Sequence, residues 1–158
     1  MLYCDSGMPQ ALRGPDLARL PFPVPKLRDP GFIADMPRVF VISEDWSLRA
    51  LVRAELLHAG VHALGMDSVG DLAVALARGD TPSAIVLDAA AIERATGPTR
   101  AALAKLARRV PIVLVASRSE ISGKPAMPLE GVAAVLVRPV TVGEIVARVL
   151  GLLRGQAA

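Results

Sequence analysis

The segment Ser83-Ala-Ile-Val-Leu-Asp88 constrains this chain most: a run apolar on both faces, preceded by Thr81-Pro82 and followed by small residues, ends in one carboxylate. A strand that shows water neither face belongs in the middle of a parallel sheet covered by helices on both sides. Asp88 would then sit at its carboxyl end. In open α/β sheets the ligand crevice lies at the carboxyl ends of the strands, so a charge placed there is a candidate for chemistry and not only for solubility.

Composition fits such a sheet. At 158 residues the chain suits one domain with a real core. Hydrophobic residues make up 53% of it but only five are aromatic, so Ala, Val, Leu and Ile must build that core. The net charge of +3 comes from 15 Arg and 3 Lys scattered along the chain, without the dense basic block of a nucleic-acid footprint. Direct nucleic-acid binding is therefore not expected. The single cysteine, Cys4, has no internal disulfide partner, which fits a reducing compartment. No apolar run approaches the roughly 18 residues of a membrane span, and the first residues lack the apolar core of a signal peptide. The expectation is a cytoplasmic protein without membrane association.

Residues 1–36 contain Pro9, Pro15, Pro21, Pro23, Pro25 and Pro30 and no sustained periodicity. They are expected to form a disordered, proline-rich leader before a domain at 37–155. Met36 stands directly before the first patterned residues, which leaves two readings of the leader: sequence upstream of a start at Met36, or a functional tail.

Residues 38–43 read as a buried strand. A helix follows over 46–58, with Leu48, Leu51, Val52 and Leu56 on one face and Gly60 as a left-handed cap. A short second strand spans 61–64, and a second helix spans 68–78, closed by Gly79. The 83–88 run is third. Gly97-Pro98 opens a helix to 109, with proline in the first turn where its missing N–H is harmless. The fourth strand is 110–116. Gly123, Pro125 and Pro128 keep any helix within 118–130 short or irregular. The fifth strand is 132–137, and a last helix over 141–153 starts with the capping box Thr141-Val-Gly-Glu144. Five strands alternating with helices predict an α/β fold, a doubly wound parallel sheet with helices on both faces.

Three strand ends carry charge: Glu44 and Asp45 after the first strand, Asp88 after the third, Arg138 after the fifth. In the common flavodoxin-like strand order 2-1-3-4-5 the first and third strands are neighbours, so the three carboxylates are expected to converge. Like charges in a partly buried site raise a pKa or recruit a cation, and an all-oxygen site with room for waters suits Mg²⁺. Arg138 supplies a cation opposite, suited to a phosphoryl or carboxylate oxygen. The plainer alternative keeps these groups apart. Glu44 and Asp45 then begin a helix, where acids favour the dipole, and Asp88 hydrogen-bonds a turn.

The frame Val-Phe-Val-Ile-Ser-Glu44-Asp45, Ala-Ile-Val-Leu-Asp88, Pro111-Ile-Val-Leu-Val-Ala and Val-Leu-Val-Arg138-Pro139 resembles the receiver domain of two-component response regulators over residues 37 to about 154. The resemblance implies that Asp88 takes a phosphoryl group from a histidine kinase or phosphotransfer protein, with Asp88 as nucleophile. It also implies that Glu44, Asp45 and Asp88 hold Mg²⁺, which offsets the charge on the phosphoryl oxygens. Arg138 takes the place of the family's lysine, and Arg138-Pro139 matches a Lys-Pro peptide that is typically cis.

Other positions depart from the family. The hydroxyl expected at the end of the fourth strand is Ala116, and Ser117 next to it can substitute only if the strand end bends, because successive strand side chains face opposite ways. Val135 replaces the aromatic switch residue on the fifth strand, and Ala89-Ala-Ala-Ile92 replaces a Met-Pro turn. Two functional readings follow: a stand-alone receiver in a phosphorelay, with Asp88 as acceptor, or a pseudo-receiver that works unphosphorylated as a docking module. A small nucleotide-binding enzyme is the third. It lacks a glycine-rich loop after the first strand, where Ser43-Glu-Asp-Trp instead presents two acids, and no Ser-His-acid or Cys-His arrangement stands out. A DNA-binding output would need a partner, since the chain ends at Gln156-Ala-Ala.

Trp46 reads as packing for the helix start. His58 and His62 lack ligand-spaced partners for zinc, and His62 reads as solvated. Met127 reads as gap filler. The last helix offers two apolar stripes, Ile145, Val149 and Leu152 beside Val146, Leu150 and Leu153. One stripe must cover the sheet; the other either serves a homodimer or effector contact or is buried within the monomer.

Overall fold

The structure, a computed structural model, describes residues 36–124 and 131–157. The leader expected over 1–36 therefore lies outside the described residues except for Met36, as does Met127. The chain runs β1 (Arg38–Ile42), α1 (Trp46–His58), β2 (His62–Met66), α2 (Val69–Ala77), β3 (Ala84–Asp88), α3 (Ala89–Glu93), α4 (Gly97–Ala107), β4 (Ile112–Ala116), α5 (Arg118–Ser122), β5 (Ala134–Val137) and α6 (Val142–Ala157). All strand pairs are parallel, in the order β2-β1-β3-β4-β5. The flavodoxin-like arrangement expected from the sequence is the one observed.

Every residue of β3 and β4 is buried, as two-sided coverage requires. Alternation along the strands sends Phe40, Ile42, Ile85, Leu87, Ile112 and Leu114 to one face, where they meet Val69 and Leu72 of α2, Ile92 of α3 and Leu103 of α4. Val39, Val41, Val86, Val113 and Val115 face the other way, against Val52 and Leu56 of α1 and Ile145, Val146 and Val149 of α6. Leu150, Leu152 and Leu153 pack on this second core too, so both stripes of α6 are used within the monomer.

Local chemistry sets the helix ends. The Asp45 side chain caps α1, Ser68 and Asp71 form a capping box at α2, and Thr96 caps α4 with Pro98 in its first turn. Gly60 (φ 81°) and Gly79 (φ 90°) close α1 and α2 in the left-handed conformation. There the Val61 and Asp80 N–H groups reach back to the Leu56 and Ala75 carbonyls, 2.9 and 3.1 Å away. The elements differ from the sequence expectation in several places: β2 runs on through Gly65 to Met66, α6 extends to Ala157, α3 follows Asp88 directly, and β4 and β5 each begin two residues later.

At the start of α6 the Thr141 N–H donates to Glu144 Oε2 at 2.7 Å, and the Thr141 hydroxyl donates to the same oxygen at 2.8 Å. These bonds hold the Glu144 carboxyl below the ordinary glutamate range, the backbone N–H contributing most. A depressed folded-state value means that the cap contributes above the ordinary range and is lost as pH falls through the folded value. Following the Glu144 carboxyl by NMR on acidification should show a midpoint below that of free glutamate, and Thr141→Val should move it up.

On the outer edge, β2 directs His62, Leu64 and Met66 toward β1, as the bonds from the His62 N–H to the Pro37 carbonyl and from the Ser43 N–H to the Met66 carbonyl show. The Ala63 carbonyl therefore faces away from the sheet, and it accepts a 3.3 Å bond from Arg53 Nε. Among the described residues no helix is long and apolar enough to cross a membrane.

Candidate functional site

The parallel register pairs Ile42 with Leu87, which places Ser43 beside Asp88 at the carboxyl edge of the two central strands. Both are buried, Ser43 at 1% and Asp88 at 6% exposure, among otherwise apolar core residues. A buried carboxylate needs partners for its charge. Asp88 Oδ2 accepts from the Ser43 hydroxyl at 2.8 Å and from Arg138 Nη2 at 2.8 Å, while Oδ1 accepts from the Ala90 N–H at 3.3 Å. The Ser43 hydroxyl in turn accepts from the Asp45 N–H at 3.1 Å. Arg138 is delivered by the end of β5: its N–H donates to the Ala116 carbonyl at 2.8 Å, and the Arg138-Pro139 peptide is cis. The site is thus a serine, a carboxylate and a guanidinium drawn from three strand ends.

The expected trio of carboxylates does not form. Asp45 Oδ1 accepts from the Ser47 and Leu48 N–H groups at 2.9 and 3.2 Å, because the residue ahead of a helix is where a short acceptor side chain satisfies unpaired donors. Glu44 reaches away to an ion pair with Arg94, which follows α3. Among the described residues no three His, Cys, Asp or Glu side chains come together as a metal group. Ser43 stands next to Asp88 where a second carboxylate would be needed, and Arg138 already balances the Asp88 charge. These donors do not fit Mg²⁺.

Ser117 also lies elsewhere. It caps α5, accepting from the Glu120 N–H at 3.3 Å, while its hydroxyl lies 2.9 Å from that of Ser119; Ala116 faces the first core. Trp46, the first residue of α1, does not pack the helix start but is 71% exposed. His62 is half-buried and not solvated, and its Nδ1 is buried without a partner among the described residues.

Ser43 is the member that sequence reasoning missed, since a serine at the end of an apolar run reads as the strand stopping. The signal was there: Ser43 closes the strand next to the one that ends in Asp88, and that adjacency follows from the strand order.

The fold is that of response-regulator receiver domains. It is similar to the receiver domain of the Francisella response regulator 1452, with a TM-score of 0.61 at 17% identity over 76% of this chain and 98% of that one. A response regulator receiver domain protein from Clostridium thermocellum gives a TM-score of 0.63 at 13% identity, over 77% and 98% of the two chains. A receiver protein from Burkholderia phymatum gives 0.55 at 19% identity, over 75% and 95%. No family model and no curated protein matches the sequence.

Proposed function

We propose that this chain is a receiver-fold signalling module that acts through protein contact and does not depend on phosphorylation of Asp88, the pseudo-receiver reading. The observation that carries it is the double engagement of Asp88 Oδ2 by Ser43 and Arg138. An in-line attack on a phosphoryl group needs a carboxylate oxygen free to approach it and positive charge placed on the phosphoryl oxygens. Here Arg138 already lies on the carboxylate itself, and the acids that follow the first strand serve a helix cap and a surface ion pair. The remaining residues work as a lock: Ser43 orients Asp88, and Arg138 ties the end of β5 to β3.

Trp46 supports contact as the mode of action, because a large exposed aromatic is the side chain most suited to anchor a partner. An open cleft of about 550 Å³ between β5 and α6, lined by Leu136, Glu144, Arg148 and Leu152 among others, supports a homodimer or effector contact on that face. A cytoplasmic setting belongs to the same reading. The phosphorelay reading, with a histidine kinase or phosphotransfer protein as donor and Mg²⁺ as cofactor, keeps the support of the receiver fold and of Asp88 at its strand end.

Incubation of the full chain with acetyl phosphate and Mg²⁺, followed by intact-mass measurement, separates the two. The expected result is no added phosphoryl group. A phosphoryl adduct on the wild type that Asp88→Asn abolishes would establish the phosphorelay reading instead.

A further inference from the structure

Helices in a parallel α/β sheet run back against the strands, so α2 and α4 end at the pole opposite Asp88. Between their last turns lies an open cleft of about 470 Å³ lined by Leu76, Ala102, Lys105, Leu106, Arg108 and Arg109. Its floor is apolar and continues, through Leu76, Ala102 and Leu106, into a narrow crevice between the helices that reaches Leu72 and Leu103. Its rim is cationic. Among the described residues, none of Lys105, Arg108 and Arg109 forms an ion pair.

Cations near a helix C-terminus are favoured by the dipole, which explains one part of this arrangement. It does not explain why three of them surround an apolar groove left open to water. We propose that the cleft is a docking site for an acidic, leucine-bearing helical segment of a partner protein. Leucines spaced three and four residues apart on such a helix fill the floor, and flanking glutamates or aspartates meet the cationic rim. Charge complementarity selects this occupant. Single-stranded nucleic acid would use the same cations, but among the described residues no aromatic side chain lines the cleft for bases to stack on. An anionic membrane favours an apolar face that protrudes, whereas this one is recessed.

The inference names a partner chemistry for the docking reading and rests on it. The test titrates the isotope-labelled full chain with a synthetic helical peptide bearing leucine on one face and glutamate on its flanks. A peptide with lysine in place of glutamate, single-stranded DNA and phosphatidylserine vesicles serve as alternatives. The acidic peptide is expected to bind and to shift the Leu76, Ala102 and Leu106 amides, and Lys105→Glu/Arg109→Glu should weaken it by about tenfold or more. Ala102→Arg, which obstructs the floor without removing a cation, should weaken it too, so the result does not depend on one variant folding. Absence of peptide binding, binding that neither variant weakens, or tighter binding of DNA or vesicles overturns the proposal. Peptide binding together with a phosphoryl adduct on Asp88 overturns the docking reading instead, so the two failures are distinguishable.

Discussion

Arg138→Leu is expected to destabilise the fold by about 2 kcal/mol, because it leaves the buried Asp88 carboxylate with a hydroxyl and one backbone N–H and no opposing charge. Breaking a fully buried ion pair from one side costs about 3–5 kcal/mol. The Arg138 side chain is 37% exposed against 8% for Asp88, so water screens part of the pair and the lower figure applies. Asp88→Leu also costs stability, since it strands the Ser43 hydroxyl, which has 1% exposure and no other acceptor in reach among the described bonds. The double variant should fall short of the sum of the two losses by about 1–2 kcal/mol, as expected for groups in one network. Urea denaturation of all four proteins with a common slope measures this. Strict additivity would show that Arg138 and Asp88 do not act together, and the lock would be abandoned.

Ser43→Asp is expected to convert the site into one that responds to Mg²⁺. In the native chain the neighbour of Asp88 is a neutral hydroxyl donor, and no group of three potential ligands exists among the described residues. A carboxylate at position 43 would face Asp88 at the same strand edge, and two like charges in a poorly solvated place repel unless a cation joins them. Without divalent ion the variant should be less stable than the native chain. With Mg²⁺ at about 100 times its dissociation constant it should recover about 2.7 kcal/mol. Thermal unfolding with and without MgCl₂ reads both effects. If the native chain is itself stabilised by Mg²⁺, and Asp88→Asn removes that stabilisation, then Ser43 does not preclude the ion and the phosphorylation-independent reading fails.

The strands were legible in the sequence because a parallel sheet covered on both sides makes its central strands continuously apolar, as Ile85-Val-Leu and Ile112-Val-Leu-Val show. Asp88 and Arg138 were legible as charges at the ends of such runs. For Asp45 the sequence left two readings, a metal ligand and a helix start, and the cue for the second was an acid directly ahead of the first helical residue, Trp46. Arg94 was beyond sequence reasoning: its pairing with Glu44 spans 50 residues and depends on α3, whose cap is the same Asp88 that reads as a strand end and whose Ala89-Ala-Ala-Ile gives no periodicity to read. Ser43 lay between these cases. Its residue type was unremarkable, and only the register of β1 against β3 makes it a partner of Asp88.

The guanidinium over the outermost strand bears on how the molecule behaves in a crowd. An incoming chain that tried to lengthen the sheet beyond β2 would need the outward-facing Ala63 oxygen, and Arg53 already occupies it. Self-association by ribbon growth on that side is thereby discouraged by a single side chain, and neutralising it would put colloidal behaviour at risk before it disturbed the fold.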